Sequence, residues 1–365
     1  RQIADARFHA AIPGPIIGAA NRRGTGFHAG LYRDGGDPGL PPAWAFPGQG
    51  QLTVPRGLRL DVAITLLVLA ALALAPLLGF GANHYLTLFA RIMILAAAAV
   101  SLSFLVGGAG LASLGHAAAM GVGAYAVAIL DAHRLTDITI VLPVALAAAA
   151  LFSLLTGAIA IRTEGVNFIM ITLAFGQMAF FTASSLAAYG GDDGYTLYDR
   201  TEILGARLME NRLFFHYLCL GFLVFCWGIC AMLLASRFGR VLRAARENPL
   251  RAQAVGFAPY PYRLLAYVIA GTLAGLAGVL FANATEFVAP AYMSWQRSGE
   301  LIFMVILGGL GRLSGAILGA VLFVLLESWL PSLTTHWKMI FGPLLILAVL
   351  FMRGGLVGFL GARRG

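Results

Sequence analysis

Ser236-Arg-Phe-Gly-Arg-Val-Leu-Arg-Ala-Ala-Arg-Glu-Asn-Pro-Leu-Arg-Ala-Gln-Ala-Val-Gly256 is a basic, water-compatible stretch between two apolar spans of membrane length. It predicts a bent helical knob at a membrane surface. Ser236 to Glu247 reads as a short amphipathic helix. Asn248 suits an N-cap and Pro249 a first helical position, so a second short helix follows to Val255. Gly256 is placed to end that helix in a left-handed conformation. Ala258-Pro259-Tyr260-Pro261-Tyr262 then leads back to the bilayer, with tyrosine rings at headgroup depth.

The rest of the chain supplies that membrane. Hydrophobic residues make up 59% of 365 and charged residues 11%, against roughly 25% charged in soluble domains. Such a chain cannot cover a water-facing surface. The net charge of +9 sits on arginines between and at the ends of apolar segments. That is the positive-inside pattern, so nucleic acid is not the partner it implies.

Apolar spans of roughly 20 residues cross a bilayer as helices. Spans are expected near Leu60–Gly79, Tyr85–Val106, His116–Leu130, Ile138–Ile161, Asn167–Ala188, Leu213–Ala235, Leu264–Ala284, Gly299–Gly308, Ala316–Leu330 and Trp337–Met352. The fold class is therefore an all-α, polytopic transmembrane helical bundle of about ten segments, two of them short or broken. Residues 1–57, rich in Gly, Pro and Arg, read as a disordered extension; residues 58–365 form the membrane domain, with a cytoplasmic loop at 236–262. Arginine placement puts that loop and both termini in the cytoplasm. The acidic joint Gly190–Arg212 then lies outside.

Gly107-Gly108-Ala109-Gly110 with Ser113 and Gly115 is echoed by Gly308-Gly309-Leu310-Gly311 with Ser314 and Gly315. Each Gly-rich break ends one helix and opens another. Transporters carry such repeats near the substrate path, though two glycine breaks also arise by chance. Exposed backbone at membrane depth is tolerated only when buried or lining a cavity. Ser113, His116, Gly308, Gly309 and Gly311 are therefore candidate path residues, with Asn167, Thr172 and Gln177 on one later helix. His116 also reads as a hydrogen-bonding residue at a helix start. Gly271, Gly275 and Gly278 form a close-packing stripe. Arg91, Glu300 and Glu327 are ionisable groups near or inside spans, where such groups face protein or water.

No arrangement of paired carboxylates, clustered histidines or nucleophile and base suggests an enzyme. Cys219, Cys226 and Cys230 share one span and read as packing residues, so neither a disulfide nor a metal is expected. A phosphate-cradling loop needs Gly-rich backbone followed by Lys, and the single lysine, Lys338, stands between Trp337 and Met339. Any ATP is bound by other chains.

Arg240 to Gly256 resembles the cytoplasmic signature of the branched-chain amino acid ABC permeases of the LivM type. Tyr262–Gly278, Ser298–Gly311, Leu111–Tyr125 and the Gly190–Gly194 loop resemble other parts of that family, in matching order over residues 80 to 330. The resemblance implies a permease subunit paired with a LivH-like sister subunit. Two cytosolic ABC ATPase subunits and an extracytoplasmic solute-binding protein complete the importer, in the cytoplasmic (inner) membrane. It assigns ATPase coupling to Arg240, Arg243, Ala245, Glu247, Asn248, Pro249, Ala252 and Gly256. Branched-chain amino acids are the implied solute; related permeases carry urea, short amides or aromatic acids. An ATP-independent channel or facilitator is the reading from a different class.

Overall fold

The computed structural model describes residues 56–76, 83–203, 205–333 and 336–351. The expected extension, residues 1–57, lies outside these apart from its last two positions. The described residues are mainly helical: α1 (Arg56–Leu74), α2 (Asn83–Phe104), α3 (His116–Ala132), α4 (Ile138–Ala160), α5 (Val166–Ser185), α6 (Arg212–Ala235), α7 (Arg237–Glu247), α8 (Pro249–Ala254), α9 (Pro259–Thr285), α10 (Trp295–Gly308), α11 (Leu313–Leu333) and α12 (Trp337–Phe351). The only sheet among the described residues pairs β1 (Tyr195–Thr196) antiparallel with β2 (Phe287–Val288).

Each of the ten expected segments contains a helix among the described residues. Six of them, in α2, α4, α5, α6, α9 and α11, are long and apolar enough to cross a membrane. The others are shorter; α10 has 14 residues and reaches about 21 Å, less than the ~30 Å hydrocarbon thickness. Two starts differ from expectation. Pro259, Tyr260 and Pro261 form the first turn of α9 rather than an extended approach, because the first turn needs no amide donors and tolerates proline there. Trp295 rather than Gly299 opens α10, since Ser294 Oγ accepts from the Arg297 amide at 3.4 Å.

Helix α2 is the axis. From Ile92 to Val100 every side chain is buried, as a helix apolar all round requires. It packs against α6, α11 and α9; the buried stripe of α6 includes Cys219, Cys226 and Cys230. By contrast α4, α5 and α6 leave large apolar residues uncovered, among them Leu155, Met178, Phe181 and Phe225. In water these faces would drive aggregation, whereas in hydrocarbon they are the solvated surface.

Helices α3 and α9 meet through backbone. A Cβ at Gly123 would strike the Gly275 carbonyl, and one at Gly278 the Met120 carbonyl. Lipid offers no hydrophobic drive between helices, so this close van der Waals fit holds them. The ionisable residues of the spans also find partners: Arg91 on α2 meets Glu327 on α11 at 2.8 Å, and Arg297 meets Glu300 within α10 at 2.6 Å.

The Arg91–Glu327 pair yields a test. Glu327→Leu leaves an uncompensated cation and lowers stability by about 2 kcal/mol, discounted from the fully buried range because Arg91 is partly exposed. Joining it to Arg91→Met recovers most of that loss, read as the melting temperature in detergent. A double variant no more stable than Glu327→Leu alone removes the pair from the account.

Candidate functional site: a helical knob seated on two broken helices

The two glycine breaks lie against each other. After α2 the backbone widens into a π turn over Leu105–Ala109, and Gly110 takes a left-handed conformation (φ 72°). Between α10 and α11, Gly311, the matching fourth residue, does the same (φ 80°). A Cβ on Gly107 would lie 2.7 Å from the Gly311 Cα, so only glycine permits the contact. Ser103 Oγ donates to the Arg312 carbonyl at 3.3 Å. The sequence echo is thus a structural contact.

The basic island forms the knob and rests on the first break. Ser236 caps α7, its Oγ accepting from the Gly239 amide. Asn248 Oδ1 accepts from the Arg251 amide at 2.9 Å and Pro249 opens α8. Gly256 (φ 93°) ends it as expected. Leu242 is fully buried and would touch any Cβ at Gly108. Arg246 Nη1 donates to the Gly107 carbonyl at 2.6 Å. That bond occupies a carbonyl which the irregular backbone leaves outside the helical ladder.

The residues expected to face a partner divide in two. Arg240, Glu247 and Asn248 are exposed and Pro249 half-buried. Arg243, however, donates to the Gly239 carbonyl at 3.3 Å and the Leu234 carbonyl at 3.1 Å, binding the end of α6. Ala245 and Ala252 are buried against their own chain, so their small size serves internal packing rather than close approach by a partner. Arg263 donates to the Ala245 carbonyl at 2.9 Å and pairs with Glu164 at 3.0 Å, fastening the knob to α9 and the α4–α5 joint. The outward surface includes Leu250 and Val255, 75% and 70% exposed. Arg246, Leu242 and these two apolar residues escape sequence reasoning. The signal was present only as helical phase: Leu242 and Arg246 lie four apart, on one face of α7.

The candidate path residues are distributed differently. His116 is buried with its Nε2 2.8 Å from Ser101 Oγ, whose proton goes to the Ala98 carbonyl. Ser113 Oγ accepts from the Gly115 amide at 3.2 Å. Thr172 Oγ1 accepts from the Leu114 amide at 3.2 Å and donates to the Ile169 carbonyl. These three tie α2, α3 and α5 together and are not open to solute in this conformation. Gly308 and Gly309 are buried and Gly311 exposed. Asn167 is exposed and Gln177 half-buried, away from the buried Thr172–Gly176 stripe of α5.

At the opposite end of the bundle, residues 186–211 fold over the helix ends. Asp131 Oδ2 accepts from the Tyr195 hydroxyl at 3.1 Å and the Tyr198 amide at 3.0 Å. Burial, and then the Asp131 carboxylate, push the Tyr195 phenol up to about 12, so it remains a donor at every physiological pH. Asn283 Oδ1 accepts from the Thr201 amide at 2.9 Å, and Arg207 lies among Asp199, Glu202 and Glu210.

Arg246→Ala frees the Gly107 carbonyl. Amide exchange in residues 105–112 and in α7 is expected to quicken about tenfold, the effect of one charge-assisted hydrogen bond, with little change in the global melting temperature. Unchanged exchange in both segments would show that the bond does not hold the knob down.

Residues 84–350 match the family model described as branched-chain amino acid transport system / permease component. The chain is 26% identical over 281 residues to the high-affinity branched-chain amino acid transport system permease protein LivM of Escherichia coli K12, covering 71% of this chain and 66% of that protein. The Salmonella typhimurium LivM matches equally. A probable branched-chain amino acid transport permease protein LivH of Methanocaldococcus jannaschii is 33% identical over 132 residues, covering 34% of this chain and 40% of that protein. No solved structure matches. A bundle of apolar helices with this family match is a multi-pass membrane protein, and the chain belongs to the permease-component family of branched-chain amino acid transport systems.

Proposed function

We propose that the chain is a transmembrane subunit of an ATP-driven importer for branched-chain amino acids in the cytoplasmic membrane, with α7, α8 and both termini on the cytosolic side. The observation that carries this reading is the knob seated by Leu242 and Arg246 on the first of the two paired breaks, in a chain whose relatives are permeases of such systems. A LivH-like sister subunit pairs with it in the membrane. The ATPases engage the outward surface of the knob around Glu247, Leu250 and Val255. The solute-binding protein docks on residues 186–211 and the α9–α10 joint.

In mechanical terms, α7 touches the irregular backbone where α2 gives way to α3, and that break in turn touches the one where α10 turns into α11. A push on the knob therefore reaches the first break directly and the second through the Gly107–Gly311 contact, without passing through a flexible loop. Rocking of the helices on either side of the breaks then alternates access to the solute path. Nucleotide chemistry stays with the partner ATPases.

The test is reconstitution with the sister subunit, ATPases and binding protein in vesicles, followed by ATP-dependent uptake of labelled leucine. Leu250→Asp, which alters only exposed surface, should cut uptake and coupled ATP hydrolysis about tenfold, ~1.4 kcal/mol, while leaving assembly of the membrane subunits intact. Undiminished uptake, or leucine flux through this chain alone without ATP, removes the coupling role. Arg243→Asp is a poor probe, because that side chain holds the end of α6.

A further inference from the structure

Two cavities lie along α9, one where α7 meets it, sharing Arg240 with the knob, and one deeper, between α4, α6 and α9. The first, about 710 Å³, opens at the foot of α7 and is lined by Arg237, Phe238, Arg240, Val241, Phe257 and Tyr262. The second, about 740 Å³, is an apolar groove between α4, α6 and α9, lined among others by Gly221, Phe225, Ile229, Ile269, Thr272 and Leu276. Tyr262 and Ile269 are seven residues apart, two helical turns or about 10 Å, and so share a face of α9. The head cavity and the near end of the groove therefore lie along one face of α9.

Their chemistries are complementary. Arg237 and Arg240 are three apart on α7, both exposed, with no hydrogen bond or ion pair among the described residues. Arg243, Arg246 and Arg263 are all engaged. No carboxylate lines the cavity, so two cations stand unbalanced where an anion fits. Phe238 and Tyr262 stack beside them at 5.7 Å between centroids, the residue types favoured at a headgroup boundary. In the groove, Thr272 Oγ1 is spent on the Val268 carbonyl at 2.7 Å. Its floor at Gly221 is open: a Cβ there would meet nothing within 4 Å.

We propose that this seam is a binding site for one anionic phospholipid of the leaflet at the α7–α8 end. The phosphate sits between Arg237 and Arg240, and an acyl chain enters the α6–α9 groove past Ile229 and Ile269, with Gly221, about 21 Å along α6 from Ala235, at the reach of a fully extended chain. A soluble acidic protein satisfies the arginines but cannot fill a groove that faces hydrocarbon. A neutral lipid fills the groove and leaves the arginines bare. Only a lipid with a negative head satisfies both. The bound lipid wedges α7 against α9 and adds to the hold that Arg263 has on the knob. The site does not depend on which solute the protein carries.

The experiment is native mass spectrometry of the full chain, purified in mild detergent with any accompanying subunits, titrated with phosphatidylglycerol or phosphatidylcholine of the same acyl chains. Phosphatidylglycerol should be retained about tenfold better, as two interfacial arginines allow. Arg237→Gln should bring the two lipids towards equal retention without loss of phosphatidylcholine. Gly221→Leu, which fills open space and should fold, should weaken both lipids and keep their ratio. Size exclusion reports the fold of each variant. An unchanged ratio in Arg237→Gln overturns the head site, and undiminished retention in Gly221→Leu overturns the groove. Displacement of phosphatidylglycerol by equimolar glycerol phosphate would show an anion pocket with no lipid.

Discussion

In hydrocarbon a backbone carbonyl without an intrahelical partner has no water to turn to. The two glycine breaks are therefore the places where this structure is most constrained. Each is held by something specific: Gly107 by Arg246, Ser103 by the Arg312 carbonyl, and the pair by contact of Gly107 with Gly311. The surrounding helices are apolar and internally satisfied. The breaks are where the protein interrupts that regularity, and the knob is built over one of them.

The same constraint explains the distribution of polar residues inside the bundle. His116, Ser113 and Thr172 surround the restart of the chain at α3, each bonded to a neighbouring hydroxyl, amide or carbonyl. They stabilise an irregular junction. Arg91 and Glu327 bring α2 and α11 together by charge, while Gly123, Gly275 and Gly278 bring α3 and α9 together by shape. Charge and shape thus fix different sides of one central framework.

Much of this was legible in the sequence. Apolar runs of membrane length became helices because in lipid that is the one way to satisfy their backbone, and the Asn248–Pro249 cap and Gly256 stop behave as their local chemistry requires. The start of α9 at Pro259 was misplaced because a proline in a first turn can look, in sequence, like a breaker. Ala245 and Ala252 looked partner-facing because exposure depends on helix phase against a surface the sequence does not display. Arg246 stood in a run of arginines with no mark to separate it from its neighbours. Its partner, the Gly107 carbonyl, is a backbone atom 139 positions away and has no residue signature at all.

The Asn248–Pro249 corner has a mechanical consequence. Pro249 cannot straighten the bend by donating an amide, and Asn248 fixes it from the side chain, so α8 is a rigid outrigger on α7. Helix α7 has 11 residues and is about 16 Å long, with its bond to Gly107 near its far tip at Arg246. A load on Leu250 acts close to that tip, and the leverage is small. Such geometry trades amplitude for stiffness: a displacement at the outrigger arrives at the glycine hinge nearly undiminished.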